Sequence, residues 1–197
     1  KAGLLFVLDR ETGEPFLPVE ERPVPQGGAE GEVLSPTQPF PVKTPPIAQT
    51  ELQPDEVFGI TVWDKQQCRR RVVAARNEGL YTPPSEQGTV FYPFTGGGAN
   101  WGSSAYLPSM NLMVINMSNV AHLVKLVEKT EDGRGGAGHS AEYAPMRGVR
   151  YGMTRELLVS DLGLPCTPPP WGVLAAVDLA TGCLLYTSDA ADELLGV

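Results

Sequence analysis

The chain opens with an apolar run that ends in a turn motif, Lys1-Ala2-Gly3-Leu4-Leu5-Phe6-Val7-Leu8-Asp9-Arg10-Glu11-Thr12-Gly13. Residues 4–9 predict a buried strand, and the residues up to Gly13 predict a tight turn whose glycine supplies the positive φ of the corner. A near copy of the second half returns as Ala176-Val177-Asp178-Leu179-Ala180-Thr181-Gly182. A strand ending in Asp-x-x-Thr-Gly at both ends of the chain predicts an array of small antiparallel sheets, as in a β-propeller.

The composition favours an all-β chain with many turns. The 197 residues include 22 Gly and 19 Pro, but 42% are hydrophobic, which is enough to build a packed core. Fifteen basic and 23 acidic residues give a formal charge of -8, which argues against a nucleic-acid partner. The sequence has no initiator Met, signal peptide or transmembrane run, and we interpret it as an internal piece of a longer protein.

One region predicts an inserted α-helix, with Asp55 or Thr61 as its cap. Its apolar positions at helical spacing are Val62, Trp63, Cys68, Val72 and Val73. Its later turns carry Arg69, Arg70, Arg71 and Arg76, where cations suit the helix dipole. We interpret these arginines as a solvated helix end rather than an anion site. A long Pro-rich connection, residues 21–52, precedes the helix, and we expect Phe40 to anchor it.

Short strands account for most of the remaining chain. Residues 15–20 predict an antiparallel partner for the opening strand, placed at a sheet edge by Pro15 and Pro18. Runs rich in β-branched and aromatic residues predict further strands at 89–92, 104–106, 112–116, 120–127, 144–154 and 173–178.

The cysteines and histidines form no recognisable metal or thiol–disulfide motif. Cys68 and Cys166 lie outside any C-x-x-C pattern. They can pair in an oxidising compartment or remain two separate buried thiols, and we favour the separate thiols. We expect His122 to pack within an apolar strand and His139 to be solvated in a Gly-rich loop.

The C-terminal segment interrupts the repeat. Residues 183–193, Cys-Leu-Leu-Tyr-Thr-Ser-Asp-Ala-Ala-Asp-Glu, resemble the translation of a common sequencing adapter. They begin where the motif should continue towards a Trp. The alternative is an ordinary terminal helix. We therefore expect residues 1–182 to be propeller sequence and residues 183–197 to be a sequencing or assembly artefact.

With these motifs in place, residues 1–182 resemble the quinoprotein glucose dehydrogenases within the glucose, quinate and shikimate group of pyrroloquinoline quinone (PQQ) dehydrogenases. The ordered series of matching stretches makes the resemblance specific: Phe6–Thr12, Pro23–Gly27, Ser35–Pro41, Glu78–Gly88, Asn100–Gly102 and Gly163–Gly172. The resemblance implies a partial β-propeller, a fragment of an eight-bladed propeller with PQQ in its central funnel. We expect such a fragment to be poorly stable alone, because neighbouring blades would bury its faces.

The resemblance also implies site residues. Lys1 matches a basic residue that contacts the quinone oxygens, where a cation stabilises the charge of the reduced cofactor. Asn100 and Trp101 match a pair that lines the cofactor site, with the Asn amide able to bond PQQ oxygens. The run Gly96–Gly98 departs from the commoner family pattern, and we expect it to let the backbone approach the ligand.

The implied activity is oxidation of a sugar, glucose to gluconolactone, with electrons passed to ubiquinone at the periplasmic face of the bacterial inner membrane. The general-base Asp, the divalent cation (Ca²⁺ or Mg²⁺) and the N-terminal membrane helices are expected outside this chain, so the fragment itself is expected to be inactive. The alternatives are a quinate or shikimate dehydrogenase and a non-catalytic propeller scaffold, against which Lys1, Asn100 and Trp101 argue.

Overall fold

The structure is a computed structural model, and it describes residues 2–100, 102, 104–129 and 141–189. Within these ranges the chain forms ten β-strands and one α-helix. In chain order they are β1 (Val19–Pro23), β2 (Thr37–Pro41), α1 (Val62–Ala74), β3 (Thr89–Phe91), β4 (Ser104–Leu107), β5 (Leu112–Ser118), β6 (His122–Glu128), β7 (Glu142–Ala144), β8 (Tyr151–Leu157), β9 (Gly172–Asp178) and β10 (Leu184–Asp189).

The described strands form two four-stranded antiparallel sheets and one two-stranded ribbon. The first sheet has the order β10-β9-β5-β4, the second has the order β3-β6-β8-β7, and β1 pairs with β2. The chain enters the second sheet at β3, builds half of the first sheet, returns to the second, and then completes the first with β9 and β10. Mostly antiparallel strands with a single inserted helix in the described part agree with the predicted partial propeller.

The first sheet buries one face through strict alternation. Val173, Ala175 and Val177 of β9 are buried while the residues between them are half-exposed, the period of two that a strand imposes. They pack with Ile115 and Met117 of β5. Burial of each Val side chain stabilises the fold by about 1.5–3 kcal/mol, so this face explains why a short apolar run forms a central strand.

A second core lies between α1 and the second sheet, and it contains a disulfide bond. Cys68 of α1 and Cys166, in the loop before β9, are both fully buried and bonded, with their Cα atoms 5.3 Å apart. The prediction of two separate thiols is therefore wrong. The helix and the loop pack on the same apolar cluster, which holds the two Cα atoms within the range of a disulfide. Spacing alone could not show this, because 98 residues separate the pair.

The predicted turn of the opening run is confirmed, and so is its repeat. Asp9 Oδ1 accepts hydrogen bonds from the backbone N–H of Glu11 (2.9 Å) and Thr12 (2.8 Å), and these bonds lower the pKa of the Asp9 carboxyl. Asp178 Oδ1 accepts in the same way from residues 180 and 181, at 2.7 and 3.2 Å. The glycine closing each turn has φ of 77°. The two Asp-x-x-Thr-Gly motifs therefore repeat in structure as well as in sequence.

The prediction of a buried strand at residues 4–9 is wrong. Only Leu8 makes a ladder pairing, a single antiparallel bridge to Pro15, and the Leu8 side chain is 52% exposed. Residues 4–7 are half-buried. Backbone bonds from Phe16 N to Val7 O (2.8 Å) and from Asp9 N to Glu14 O (2.7 Å) join the run to the residues after the turn, so the antiparallel return is a short hairpin rather than a full strand pair.

The predicted helix is confirmed with Thr61 as its cap. Thr61 Oγ1 accepts from Asp64 N (3.1 Å) and Asp64 Oδ2 accepts from Ile60 N (3.1 Å), so two backbone donors at the helix start are satisfied. Cys68 and Val72 are buried as predicted. Val62 and Trp63 are instead 83% exposed and Val73 is 62% exposed, because they lie on the side away from the core.

The arginines of the helix divide into two groups. Arg69 and Arg70 are exposed, as predicted. Arg71 is not a solvated residue, because it donates to Val159 O and Glu156 Oε1, each at 2.5 Å. Arg76, beyond the helix end, donates to the carbonyls of Gln26 and Gly27 and pairs with Glu78. These two side chains tie α1 to the second sheet and to the Pro-rich connection.

The Pro-rich connection is anchored by Phe40, as predicted. Its ring meets Tyr81 edge-on at 5.6 Å, and the Arg22 guanidinium lies 5.3 Å from its centroid. Three strand predictions need correction. Residues 15–20 were predicted to pair with the opening run, but only Pro15 forms a bridge to it, and β1 pairs instead with β2, within the Pro-rich connection where no strand was predicted. The strand at 144–154 is split into β7 and β8, and β10 forms where no strand was predicted. No helix in the described ranges is long and apolar enough to cross a bilayer.

Candidate cofactor site

One of the three residues predicted to contact the cofactor is described by the structure. Asn100 follows the glycine run, whereas Lys1 and Trp101 lie outside the described residues, as does His139. The chain neighbours Ala2, Gly3 and Gly102 are described. We therefore locate the candidate site from the described residues next to Lys1, Asn100 and Trp101 in the chain.

Ala48 brings the two segments together. A Cβ built on Gly3 would lie 2.5 Å from Ala48 Cβ, and one built on Gly98 would lie 3.1 Å from the same atom. The backbone N–H of Ile47 also donates to Gly3 O at 2.8 Å. Lys1 and Asn100 are each two residues from these glycines, a reach of about 7 Å along the chain. The opening run and the glycine loop thus meet on one residue of the core.

The glycine loop is rigidly seated rather than flexible. Ser118 N donates to Gly98 O (2.8 Å) and Gly97 N donates to Phe94 O (2.7 Å). Gly97 has φ of 96°, and a Cβ on Gly98 would lie 2.7 Å from Met117 Cε. These glycines serve a left-handed turn and close packing on the protein. The expectation that they admit a ligand to the backbone is not supported here, because protein atoms occupy that space.

The side chain of Asn100 remains available. Asn100 is half-buried, and its amide makes no hydrogen bond with the described residues. A primary amide offers two N–H donors and one carbonyl acceptor. An amide held at the end of a rigid loop, without a partner in the described part of the protein, fits a role in binding ligand oxygens.

A cavity of about 300 Å³ meets the opening run at Ala2, but Gly3, Gly98 and Asn100 are not among the residues that line it. It is bordered by Ala2, by Tyr81 and its neighbours, and by the chain from Val90 to Thr95 that leads into the glycine loop. Its walls are largely apolar side chains, and Tyr81 is held there with φ of 66°. A volume at the lower end of the range for ligand pockets, with apolar walls, suits one planar ring system.

A polar group that sequence reasoning missed lies beyond Thr95. Thr95 Oγ1 is 2.7 Å from His122 Nδ1, and Arg155 reaches the same hydroxyl at 3.5 Å. Arg155 also forms two bonds to Glu142, at 2.8 and 2.7 Å. No sequence signal joins these residues, because they come from four separate stretches that the second sheet brings together.

His122 is packed, as predicted. Its ring meets Phe94 edge-on at 5.1 Å. Burial lowers the pKa of His122, the positive charge of Arg155 lowers it further, and Glu142 partly opposes both effects. The imidazole is therefore neutral near pH 7. The described residues contain no group of three or more His, Cys, Asp or Glu side chains placed to hold a metal ion.

Comparison with known proteins identifies the family. The sequence profile described as "PQQ: Glucose/ethanol/alcohol dehydrogenase, beta-propeller domain" matches residues 1–193. The quinoprotein glucose dehydrogenase of Escherichia coli K12 is 37% identical over 94% of this chain, and glucose dehydrogenase A of Acinetobacter calcoaceticus is 38% identical over 92%. The quinate/shikimate dehydrogenase (quinone) of Acinetobacter baylyi is 34% identical over 92% of the chain.

The chain spans about a quarter of the length of these relatives: 24% of each glucose dehydrogenase and 23% of the quinate/shikimate enzyme. No solved structure gives a significant match. The profile covers nearly the whole chain, and three relatives exceed 30% identity over more than nine-tenths of it. The chain therefore belongs to the PQQ-dependent glucose/ethanol/alcohol dehydrogenase family and represents part of its β-propeller domain.

Proposed function

We propose that this chain forms one wall of the PQQ site in a quinone-linked dehydrogenase that oxidises glucose to gluconolactone. One observation carries the proposal: the half-buried Asn100 amide lacks a partner in the described part of the chain, beside the point where Gly3 and Gly98 meet on Ala48. Ala2, the neighbour of Lys1, borders an apolar cavity of about 300 Å³, a volume that would admit a planar ring. The residues present are thus compatible with a flat cofactor rich in oxygen atoms.

Each residue has a distinct part in this proposal. PQQ, when bound, would supply the acceptor for the two electrons that leave the carbon bearing the sugar hydroxyl. Asn100 would donate hydrogen bonds to cofactor oxygens, and by the family resemblance Trp101 would line the site and Lys1 would place a positive charge where negative charge develops. The packing of Gly98 against Met117 fixes the loop that carries Asn100, so the amide needs little reorganisation on binding.

Four further components belong to the proposal but not to this chain. We expect the general-base Asp, and the residues that hold a divalent cation (Ca²⁺ or Mg²⁺), in sequence outside residues 1–197. The electron acceptor is ubiquinone, reached from the periplasmic face of the bacterial inner membrane, and membrane helices N-terminal to Lys1 anchor the protein. Two of the relatives carry "(quinone)" in their names, which supports a quinone acceptor.

The test is titration of PQQ into the full-length protein, followed by cofactor absorbance. We expect a saturable spectral change, and we expect Lys1→Ala and Asn100→Ala each to weaken PQQ binding by about tenfold or more, the loss of a charge-assisted or fully desolvated hydrogen bond. Lys43→Ala, which removes an exposed lysine, is the matched control and should bind like the parent. An unchanged spectrum at high PQQ would support the non-catalytic scaffold instead.

The competing substrate assignment is quinate or shikimate. The relatives include enzymes named for glucose, for quinate and shikimate, and for glycerol, all at 33–38% identity, so similarity alone does not separate them. PQQ-dependent dye reduction with each substrate separates them directly. If the dye is reduced with quinate but not with glucose, the substrate is quinate rather than a sugar, and the cofactor proposal still holds.

We also propose that residues 183–197 do not belong to the natural protein. Leu184–Asp189 pairs with β9, but backbone ladder bonds can be made by almost any extended sequence. Resequencing the source locus across Gly182 tests this. A reading frame that continues without Cys183-Leu184-Leu185 is the expected result, and the sequence as written would contradict it.

A further inference from the structure

A cleft of about 660 Å³ is lined by residues from both apolar cores. Leu52 and Tyr92 come from the core that contains the disulfide, and Ile47 and Val173 come from the core of the first sheet. Residues 168–170, all proline, extend its apolar surface. The volume lies within the range of small-molecule sites. We call this space the Tyr92 cleft.

The hydroxyl of Tyr92 is buried without a partner. Tyr92 is 6% exposed, and its Oη forms no hydrogen bond with the described residues. Most buried hydroxyl groups in proteins are hydrogen-bonded, because their removal from water is costly unless a new partner replaces it. The Tyr92 hydroxyl is therefore free to bond a ligand.

The charge of Glu56 shows which space this hydroxyl faces. Burial raises the pKa of Tyr92, and the negative charge of Glu56 raises it further, so the carboxylate lies near the phenol. Tyr92 also borders the cavity of about 300 Å³, but Glu56 lines the Tyr92 cleft and not that cavity. The hydroxyl is therefore directed towards the Tyr92 cleft.

The Tyr92 cleft is negatively charged. Its charged lining residues in the described part of the chain are Glu51 and Glu56, both exposed to solvent. Gln53 holds both carboxylates: its backbone N–H donates to Glu56 Oε2 at 3.1 Å, and its side-chain amide donates to Glu51 Oε1. Within the described residues, the second oxygen of each carboxylate forms no hydrogen bond. Two negatively charged acceptors are thus left for a ligand.

The walls of the Tyr92 cleft are fixed by the buried side chain of Asn119. Its amide oxygen accepts from Gln49 N, and its amide nitrogen donates to Pro170 O, both at 3.2 Å. Gln49 and Pro170 both line the cleft, so these two bonds tie separate parts of its lining together. A site whose walls are held before binding loses less conformational entropy when a ligand enters.

We propose that the Tyr92 cleft binds a primary ammonium group carried on a short apolar body. The three N–H donors of an ammonium match the free oxygens of Glu51 and Glu56 and a lone pair of Tyr92 Oη. The prolines and the aliphatic side chains provide an apolar surface for the hydrocarbon part. An anion would be repelled by both carboxylates, and a neutral alcohol would leave their charge uncompensated.

The test is saturation-transfer NMR of n-butylammonium chloride with the full-length protein, without PQQ or substrate. We expect saturable binding of n-butylammonium and little binding of n-butanol or butyrate, which share its hydrocarbon body but lack its positive charge. Glu56→Gln should weaken binding by about tenfold, because it removes a charge-assisted hydrogen bond. Tyr92→Phe should weaken binding by about fivefold, because it removes one acceptor from the buried end of the site.

Matched controls separate the loss of ligand contacts from a loss of folding. Glu11→Gln removes an exposed carboxylate elsewhere, Tyr106→Phe removes the hydroxyl of a 54% exposed tyrosine, and both should bind like the parent. Tyr92→Phe should unfold at the same urea concentration as the parent or a higher one, because the lost hydroxyl has no partner in the described part of the chain.

Three outcomes would overturn the proposal: no binding of n-butylammonium by the parent, equal binding of n-butanol, or unchanged binding by both Glu56→Gln and Tyr92→Phe. None of these measurements uses PQQ. Their failure would therefore leave the cofactor assignment unaffected, and a failed PQQ titration would leave the ammonium site unaffected.

Discussion

Removing the Cys68–Cys166 disulfide should strongly destabilise the protein. The bond joins residues 98 positions apart. Closing a loop of about 100 residues restricts the unfolded chain by about 4.7 kcal/mol in the chain-entropy treatment. Both sulfurs are fully buried beside Leu52, Val72 and Leu158, so replacement by Ala also leaves small cavities that cost about a further 1 kcal/mol. The expected loss is a large part of the 5–15 kcal/mol that stabilises a typical domain.

Urea unfolding of the parent and of the double variant Cys68→Ala/Cys166→Ala, monitored by Trp fluorescence, measures this loss. The variant should unfold at a much lower urea concentration, and the reduced parent should behave like it. Cys183→Ser is the control, because that cysteine is exposed and unpaired. Counting thiols in the denatured, unreduced protein gives an independent check. One reactive thiol is expected, and three would show that the disulfide does not exist.

Three further variants probe the site and its supports. Gly98→Ala should destabilise the fold by about 1–3 kcal/mol and weaken PQQ binding, because the new methyl would lie 2.7 Å from Met117 Cε; urea unfolding and cofactor titration measure the two losses, and unchanged values would contradict this close packing. Because the pKa of His122 is lowered in the folded state, the unfolded state takes up the proton at a higher pH. The free energy of unfolding should therefore fall as pH drops below about 6.5, until the pH passes the folded-state pKa. Urea titrations at successive pH values measure this fall, and the His122→Gln variant should lack it. Asn119→Ala should cost about 2–3 kcal/mol in the same assay, since this buried amide accepts from Gln49 N and donates to Pro170 O, both at 3.2 Å, whereas an unchanged midpoint would contradict that role.

The sequence predicted well those features that local rules determine. The two Asp-x-x-Thr-Gly turns, the Thr61 cap and the alternating strand β9 depend on neighbouring residues, and all three are observed. The anchoring role of Phe40 also followed from its isolation among prolines. These predictions succeeded because backbone geometry and period-two burial can be read directly from a short stretch of sequence.

Features set by distant contacts were predicted less well. The disulfide depends on two segments 98 residues apart that share one core. The opening run lost its predicted burial because full strand pairing needs a partner that only the fold can supply. Arg71 and Arg76 reach carbonyl groups on other segments, which charge patterning cannot reveal. For the candidate site, the resemblance supplied Asn100, but only the structure revealed the shared contact on Ala48.

The interleaved order of the strands has a consequence for how this protein is made. β5 ends at Ser118, and its partner β9 begins only at Gly172. A ribosome must therefore synthesise the whole excursion through β6, β7 and β8 before the first sheet can close. Until then one edge of β5 stays unpaired, and Cys68 cannot form its disulfide because Cys166 has not yet been synthesised. Such high contact order slows folding and keeps the unpaired, aggregation-prone edge of β5 exposed for longer. A nascent chain of this kind therefore gains from chaperone protection and from disulfide formation after synthesis of Cys166.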